Sequence, residues 1–199
     1  MNLILASRSP RRAMLLESLG VPFTVLEPTA AENNNAELRP HELVMINSDA
    51  KARSVADQTG DDDLILGADT IVHLEGRILG KPRDIEEARM MLRALSGNRH
   101  FVFTGLTLID RRSGTVLSDF ERTGVVFRHL AESDIGMYLD VISPLDRAGA
   151  YTVEGVGALL VERFEGCFYN VVGLPLVKLD TMLRTLGVNL FILSQNRLT

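Results

Sequence analysis

LILASRSPRRAMLLESLG, residues 3–20, changes its periodicity half-way: four consecutive apolar residues, a polar turn, then a helical pattern. LILA has the length and composition of a buried strand. Pro10 stands where a helix tolerates proline best, in its first turn. Met14, Leu15 and Leu19 fall on one face of the helix predicted over 10–19, and Gly20 follows as a stop. A strand that runs through a short turn straight into a helix is the opening move of an α/β sheet.

The same alternation continues outward. FTVLEP (23–28) reads as a second strand, and RPHELVMINSDAKARSVADQ (39–58) as a helix that ends before the acidic turn GDDD. LILGADTIVHLEG (64–76) reads as strand, break, strand, with the break at GAD and a hairpin turn at Glu75 and Gly76. DIEEARMMLRALSG (84–97) carries the clearest helix signals: Asp84 as N-cap, Glu86 and Glu87 at the positive end of the dipole, and Gly97 after the C-terminus. Strands are predicted at HFVFTGLTLID (100–110), TVLSDFERTGVVFRHL (115–130) and GALLVERFEG (157–166), and the last two helices at LAESDIGMYLDVI (130–142) and PLVKLDTMLRTLG (175–187). Strands alternate with helices at both ends and run consecutively in the middle. That order predicts a mixed α/β sheet and not a purely parallel one.

Composition narrows the functions allowed. A chain of 199 residues with 46% hydrophobic content can form one sizeable domain or two small lobes. A net charge of −5 argues against general binding of nucleic acid or of an anionic membrane surface, which needs a broad basic face. One cysteine, Cys167, allows no intrachain disulfide, so a reducing cytoplasm is the simplest home. The start of the chain lacks the charged n-region of a signal peptide, and no stretch approaches a membrane span.

Against this acidic background the SRSPRR cluster (7–12) is a local concentration of positive charge. Hydroxyls, guanidinium forks and unpaired backbone N–H groups at a helix start together suit a phosphate group. An isolated RR pair reads equally as two solvated helix-start residues, with Arg8, Arg11 and Arg12 all in water. Asp69 follows Gly67 and Ala68 after LIL, which puts a carboxylate where a buried strand is expected to end, the usual place for catalytic groups in open α/β sheets. It reads alternatively as a turn-forming Asx residue. His41, His73, His100 and His129 are scattered, and with a single cysteine they form no zinc-ligating pattern. No G-x-G-x-x-G follows any strand and no GxxxxGK[ST] occurs, so a generic dinucleotide site or P-loop is excluded.

LILASRSPRRAMLLESLG, taken with GADTIV (67–72), GKPRD (80–84) and PLDRAGAY (144–151), resembles the Maf family of nucleoside triphosphate pyrophosphatases, in order and over residues 2 to 188. A lone GAD or GKP would carry no weight; their combination does. The resemblance implies a single domain over 1–199 with a Maf/Ham1-like fold, an elongated mixed sheet flanked by helices, with two lobes around a nucleotide cleft, and a homodimer. It implies hydrolysis of a nucleoside triphosphate between the α- and β-phosphates, with a divalent metal, Mg²⁺ or Mn²⁺. It casts Ser7, Arg11 and Arg12 as phosphate ligands, Lys51 and Lys81 as catalytic cations, and Glu32 and Asp69 as metal ligands, with Asp69 also a candidate general base.

These residue types fit that chemistry. Three phosphates must be neutralised, a metal held by hard oxygens and a water activated in line with the leaving pyrophosphate. The base preference has a mixed signature. Arg12 and Thr70 resemble the members that act on dTTP and UTP, whereas Glu154, in GAYTVEG, stands where those members usually have glutamine and resembles the 7-methyl-GTP group. Counted together, the motifs favour dTTP and UTP, and with them modified pyrimidine triphosphates. The alternatives are a 7-methyl-GTP pyrophosphatase, or a nucleotide-binding regulator of septum formation without turnover. Retention of Asp69, Lys51, Lys81 and Glu32 favours an enzyme, since a pure binder needs the cations but no in-line base.

Overall fold

The computed structural model describes residues 2–35 and 37–195. Seven strands form one mixed sheet in the order β2-β1-β3-β5-β6-β7, with β4 paired to β3. They are β1 (Leu3–Ala6), β2 (Phe23–Leu26), β3 (Leu64–Leu74), β4 (Arg77–Leu79), β5 (Arg99–Asp110), β6 (Val116–Phe127) and β7 (Val161–Glu165). The helices are α1 (Pro10–Ser18), α2 (Pro40–Arg53), α3 (Ile85–Leu95), α4 (Glu132–Val141), α5 (Phe168–Val172), α6 (Leu176–Thr185) and α7 (Leu190–Gln195). β1 pairs in parallel with both β2 and β3, while β3/β4 and β6/β7 are antiparallel. The mixed sheet expected from the sequence is therefore the one observed. No helix among the described residues is long and apolar enough to cross a membrane.

The chain divides into two compact units, residues 1–69, 104–121 and 173–199 in the first and residues 70–103 and 122–172 in the second. In the first unit the two-residue period of the strands sorts the core into two halves. Leu3 and Leu5 of β1 with Leu64, Leu66 and Ala68 of β3 bury against Leu16 of α1 and Leu179, Met182 and Leu183 of α6. Ile4 and Ala6 with Ile65 and Ile109 face the other way, onto Ala52 of α2 and Val55 just beyond it.

Ile65, Gly67 and Asp69 share that second face of β3, and on β5 so do Gly105, Thr107 and Ile109. The two glycines let α2 come close. A Cβ on Gly67 would lie 2.1 Å from the carbonyl oxygen of Ser48, and one on Gly105 would lie 2.4 Å from that of Val44. Between these contacts Ser48 Oγ hydrogen-bonds Thr107 Oγ1 at 2.9 Å, and Thr107 Oγ1 bonds Ser118 Oγ at 2.9 Å. Val44, Ser48 and Ala52 are four residues apart, so one helix face runs along the sheet backbone to backbone.

In the second unit, α3 is capped as its sequence predicts, with the N–H of Glu87 donating to Asp84 Oδ1 at 2.8 Å, and it buries Ala88, Leu92 and Leu95. Glu75 and Gly76 both take positive φ, 46° and 82°, in the turn between β3 and β4. Both are required by a two-residue hairpin of this hand. His100 is buried against Phe127 and Tyr151, edge to face, and bonds the Tyr151 hydroxyl at 2.7 Å. Burial alone pushes the imidazole down to about 4.

Four expectations are corrected. β3 does not break at GAD: it is one strand of eleven residues, and Gly67 serves the approach of α2 rather than a turn. On α1, Met14 is 51% exposed while Leu16 and Arg12 are buried, so the inward face is rotated from the one the apolar residues suggest. Gly155–Leu160 is 3₁₀ helix, and the strand begins only at Val161. Two short helices, α5 and α7, were not expected; five or six residues carry too little periodicity to be read.

Candidate active site

β1 pairs with β3 only as far as Ala6 opposite Gly67. Beyond that register β1 turns away through Ser7 into α1, and β3 continues to Asp69. The carboxylate is thus mid-strand, not at a strand end as expected, yet it stands past the end of its parallel neighbour. It is 5% exposed.

Two residues of α2 one turn apart reach it from the same helix face. Lys51 Nζ donates to Asp69 Oδ1 at 2.6 Å, and Asn47 Nδ2 donates to Asp69 Oδ2 at 3.1 Å. The same ammonium donates to Glu32 Oε1 at 2.6 Å, so Lys51 bridges the two carboxylates. Lys51 is 8% exposed, and only paired anions make a buried ammonium tolerable.

Arg12 is buried too, at 8% exposure. Its Nε donates to the carbonyl of Gly173 at 2.9 Å and its Nη1 to Ser7 Oγ at 3.1 Å, while Ser7 Oγ also accepts the N–H of Ser9 at 3.1 Å. Burial lowers the Arg12 guanidinium from its ordinary value. Asp69 opposes that shift, Arg11 reinforces it and Glu32 opposes it more weakly. The guanidinium stays charged, and that charge is held in the field of the two carboxylates. Arg8 points elsewhere, exposed, 3.4 Å from Glu27.

Ser7, Arg12, Glu32, Lys51 and Asp69 therefore come together in the first unit. Arg11 lies on α1, half-buried. Thr70, Lys81 and Glu154 belong to the second unit. Thr70 follows Asp69 on β3 and is half-buried; Lys81 is exposed just beyond β4. Glu154 is exposed and opens the 3₁₀ segment, its N–H donating to Thr152 Oγ1 at 3.3 Å. The Thr152 N–H in turn donates to the Tyr138 hydroxyl at 3.0 Å.

Asn47 was missed in the sequence. Its signal was available, a polar residue one turn before Lys51 in the middle of a helix.

Glu32 and Asp69 offer a hard-oxygen donor set with no imidazole or thiolate. Among the described residues no three His, Cys, Asp or Glu side chains are placed to hold a metal by themselves. Two carboxylates fit Mg²⁺ or Mn²⁺ of the kind that takes its remaining ligands from water and substrate phosphates, and they do not fit zinc.

The Maf-like protein family profile matches residues 2–186. The chain belongs to the Maf family. Among its relatives, a protein of Caldicellulosiruptor saccharolyticus is 45% identical over 95% of this chain and 96% of its own length, and one of Alkaliphilus oremlandii is 46% identical over 92% and 95%. A third, from Dictyoglomus thermophilum, is 44% identical over 95% and 98%. All three are named dTTP/UTP pyrophosphatase. Among solved structures, the Ham1 protein of Staphylococcus aureus is similar with a TM-score of 0.45 at 10% identity, over 64% of this chain and 72% of that one. In this Maf protein, Ser7 and Arg12 stand with an acidic pair bridged by Lys51.

Proposed function

We propose that this Maf protein hydrolyses dTTP and UTP to the nucleoside monophosphate and pyrophosphate. The observation that carries the proposal is the array of buried Lys51, Asp69, Arg12 and Ser7 with the half-exposed Glu32, in a chain whose relatives bear that activity in their names. Lys51 and Arg12 offset the two carboxylates, so the site does not repel an arriving triphosphate, whose own charge a divalent cation partly neutralises. Glu32 and Asp69 would hold the cation, which when bound supplies charge neutralisation on the phosphates and polarises the phosphorus under attack.

In this reading Ser7, Arg11 and Arg12 bind phosphate oxygens, Arg12 with its rotamer already fixed by Gly173 and Ser7. Lys51 holds the two carboxylates at one spacing and stabilises the charge that develops on the leaving pyrophosphate. Asp69 accepts the proton of the attacking water. The bond broken is that from the α-phosphorus to the α,β-bridging oxygen. Lys81, Thr70 and Glu154 are assigned to phosphate, sugar and base on sequence pattern. The enzyme is proposed to act in the cytoplasm as a homodimer, without a nucleic-acid or membrane partner.

The direct test is a product assay on purified protein with dTTP, UTP, 7-methyl-GTP and the other canonical triphosphates. Pyrophosphate is the expected product, and orthophosphate alone would contradict the proposal. EDTA is expected to stop the reaction and Mg²⁺ or Mn²⁺ to restore it. Full turnover in chelator would leave the charge to lysine and arginine alone.

Glu154 is the specific observation that favours 7-methyl-GTP instead. Uracil and thymine present acceptor, donor, acceptor along their pairing edge, which a glutamine can meet at two adjacent groups. An ionised glutamate accepts only, and would face a carbonyl oxygen with one of its own. Where a bound base buries it, such a mismatch costs about 1–3 kcal/mol. If Glu154 reads the base, Glu154→Gln is expected to raise kcat/KM for dTTP and UTP relative to guanine nucleotides by about tenfold or more. A ratio unchanged within about twofold would mean that Glu154 points away from the base and the preference is set elsewhere.

A further inference from the structure

Asn47 is 4% exposed, and all its hydrogen bonds end beside a carboxylate of the site. Its Oδ1 accepts the N–H of Asn33 at 2.8 Å, and its Nδ2 donates both to the carbonyl of Asn33 at 3.1 Å and to Asp69 Oδ2 at 3.1 Å. One amide group thus grips both backbone groups of the residue after Glu32 while holding the second oxygen of Asp69. The helix needs nothing polar here. An amide buried at this depth is tolerated because its acceptor and both its N–H donors are used.

The segment from Glu27 to Asn35 has no regular secondary structure. At its start the N–H of Thr29 donates to Ser54 Oγ at 3.3 Å. Beyond Glu32 the bonds from Asn35 N–H to Asn33 Oδ1, from Glu37 N–H to Asn35 Oδ1 and from Leu38 N–H to the Asn35 carbonyl are short-range turns. The Glu32 side chain is about half exposed, so apart from its bond to Lys51 its position follows that of its backbone.

We propose that Asn47 is a positioning residue for metal binding: it ties the loop that carries Glu32 to the strand that carries Asp69 and so, with Lys51, fixes the spacing of the two carboxylates. The inference rests on the reading that Glu32 and Asp69 hold the divalent cation. Carboxylate ligands held by outer hydrogen bonds commonly lose 10- to 100-fold in metal affinity when those bonds are removed.

The test uses two variants of the full chain, Asn47→Leu, which keeps the volume, and Asn47→Ala, which leaves room for water. Mn²⁺ is titrated into each with an α,β-imido analogue of dUTP, which cannot be hydrolysed, and free Mn²⁺ is followed by electron paramagnetic resonance. The Mn²⁺ dissociation constant is expected to rise by about tenfold or more. Amide exchange at Asn33 is expected to accelerate by at least about tenfold, as its N–H loses Asn47. The control is Asn170→Ser. Asn170 is an equally buried amide that clamps the Val102 carbonyl and Thr123 Oγ1 in the second unit, and its loss is expected to leave Mn²⁺ affinity within about twofold.

Either Asn47 variant alone decides if the other fails to fold. Mn²⁺ affinity within about twofold of wild type, or an equal fall in the Asn170 control, would overturn the inference. Asp69→Asn separates the two levels. If it loses Mn²⁺ while the Asn47 variants keep it, only the role of Asn47 is wrong; if it too binds Mn²⁺ like wild type, the metal-site reading falls and the inference with it.

Discussion

Asp69→Asn is expected to reduce pyrophosphate release by about 10²–10⁴-fold, the range for removing a general base, while the protein still unfolds cooperatively. The amide is isosteric, so the packing of β3 against α2 survives. What changes is charge and hydrogen-bond sense. Lys51 Nζ, 2.6 Å away, keeps an acceptor if the new Oδ1 faces it, but the Asn47 Nδ2 that now donates to Oδ2 would then meet a second NH₂. That clash of donors adds about 1–3 kcal/mol of destabilisation, enough to lower the melting temperature by a few degrees and too little to unfold the chain. Both proposed roles of Asp69, proton acceptor and metal ligand, require an anion, so either is lost. Turnover reduced by less than about tenfold would remove Asp69 from the chemistry.

Gly67→Ala, two residues earlier, is expected to be as damaging by a different route. The added carbon would sit 2.1 Å from the Ser48 carbonyl oxygen and 2.9 Å from both Ala52 Cβ and its backbone nitrogen. Two of these three atoms are helix backbone, so no rotamer change relieves the overlap. Strand and helix must separate. Overpacking of a rigid core costs about 1–3 kcal/mol and sometimes more, and the expectation here is about 3 kcal/mol or above, a fall in melting temperature of about 6–12 °C. Activity should fall further than stability suggests, because α2 carries both Lys51 and Asn47, and a displacement of about 1 Å at a site can cost about 10²-fold. Gly136→Ala provides the comparison. It lies within α4, has no positive φ and meets nothing within 4 Å. The same substitution there is expected to be neutral or to stabilise by up to about 1 kcal/mol. Equal melting temperatures for the two variants would show that α2 does not bear on β3 as tightly as the geometry implies.

Gly67 also marks the limit of what can be read from the chain alone. In sequence a glycine inside an apolar run signals a break, and GAD was read that way. The alternative, a strand glycine that admits another backbone, depends on α2, whose contact residues lie 15 to 19 positions earlier. The burial of Arg12 is hidden for a stronger reason. An arginine pair at a helix start looks solvated, and the carbonyl that draws Arg12 inward belongs to Gly173, 161 residues away. Signals that are local were legible: the Asp84 cap, the Glu75–Gly76 turn, the strand–turn–helix opening and the mixed order of strands. Glu32 and Lys51 were placed by family pattern, because nothing in TAAENNN or in one lysine of a helix states that they share a hydrogen bond.

The first unit takes its core from segments far apart in the chain. Leu3 and Leu5 close against Leu174, Leu179, Met182 and Leu183, so the leucines of β1 wait for partners made about 170 residues later. At about 5–20 residues per second, synthesis holds those two layers apart for on the order of ten seconds. During that interval β1 can pair with β2 and β3 but has no α6 to cover its outer leucines, and the strand that leads into Ser7 and Arg12 stays incompletely buried. The order of manufacture thus makes α6 the clasp of the fold: the strand that leads into Ser7 and Arg12, made early, becomes rigid only when α6 emerges from the ribosome.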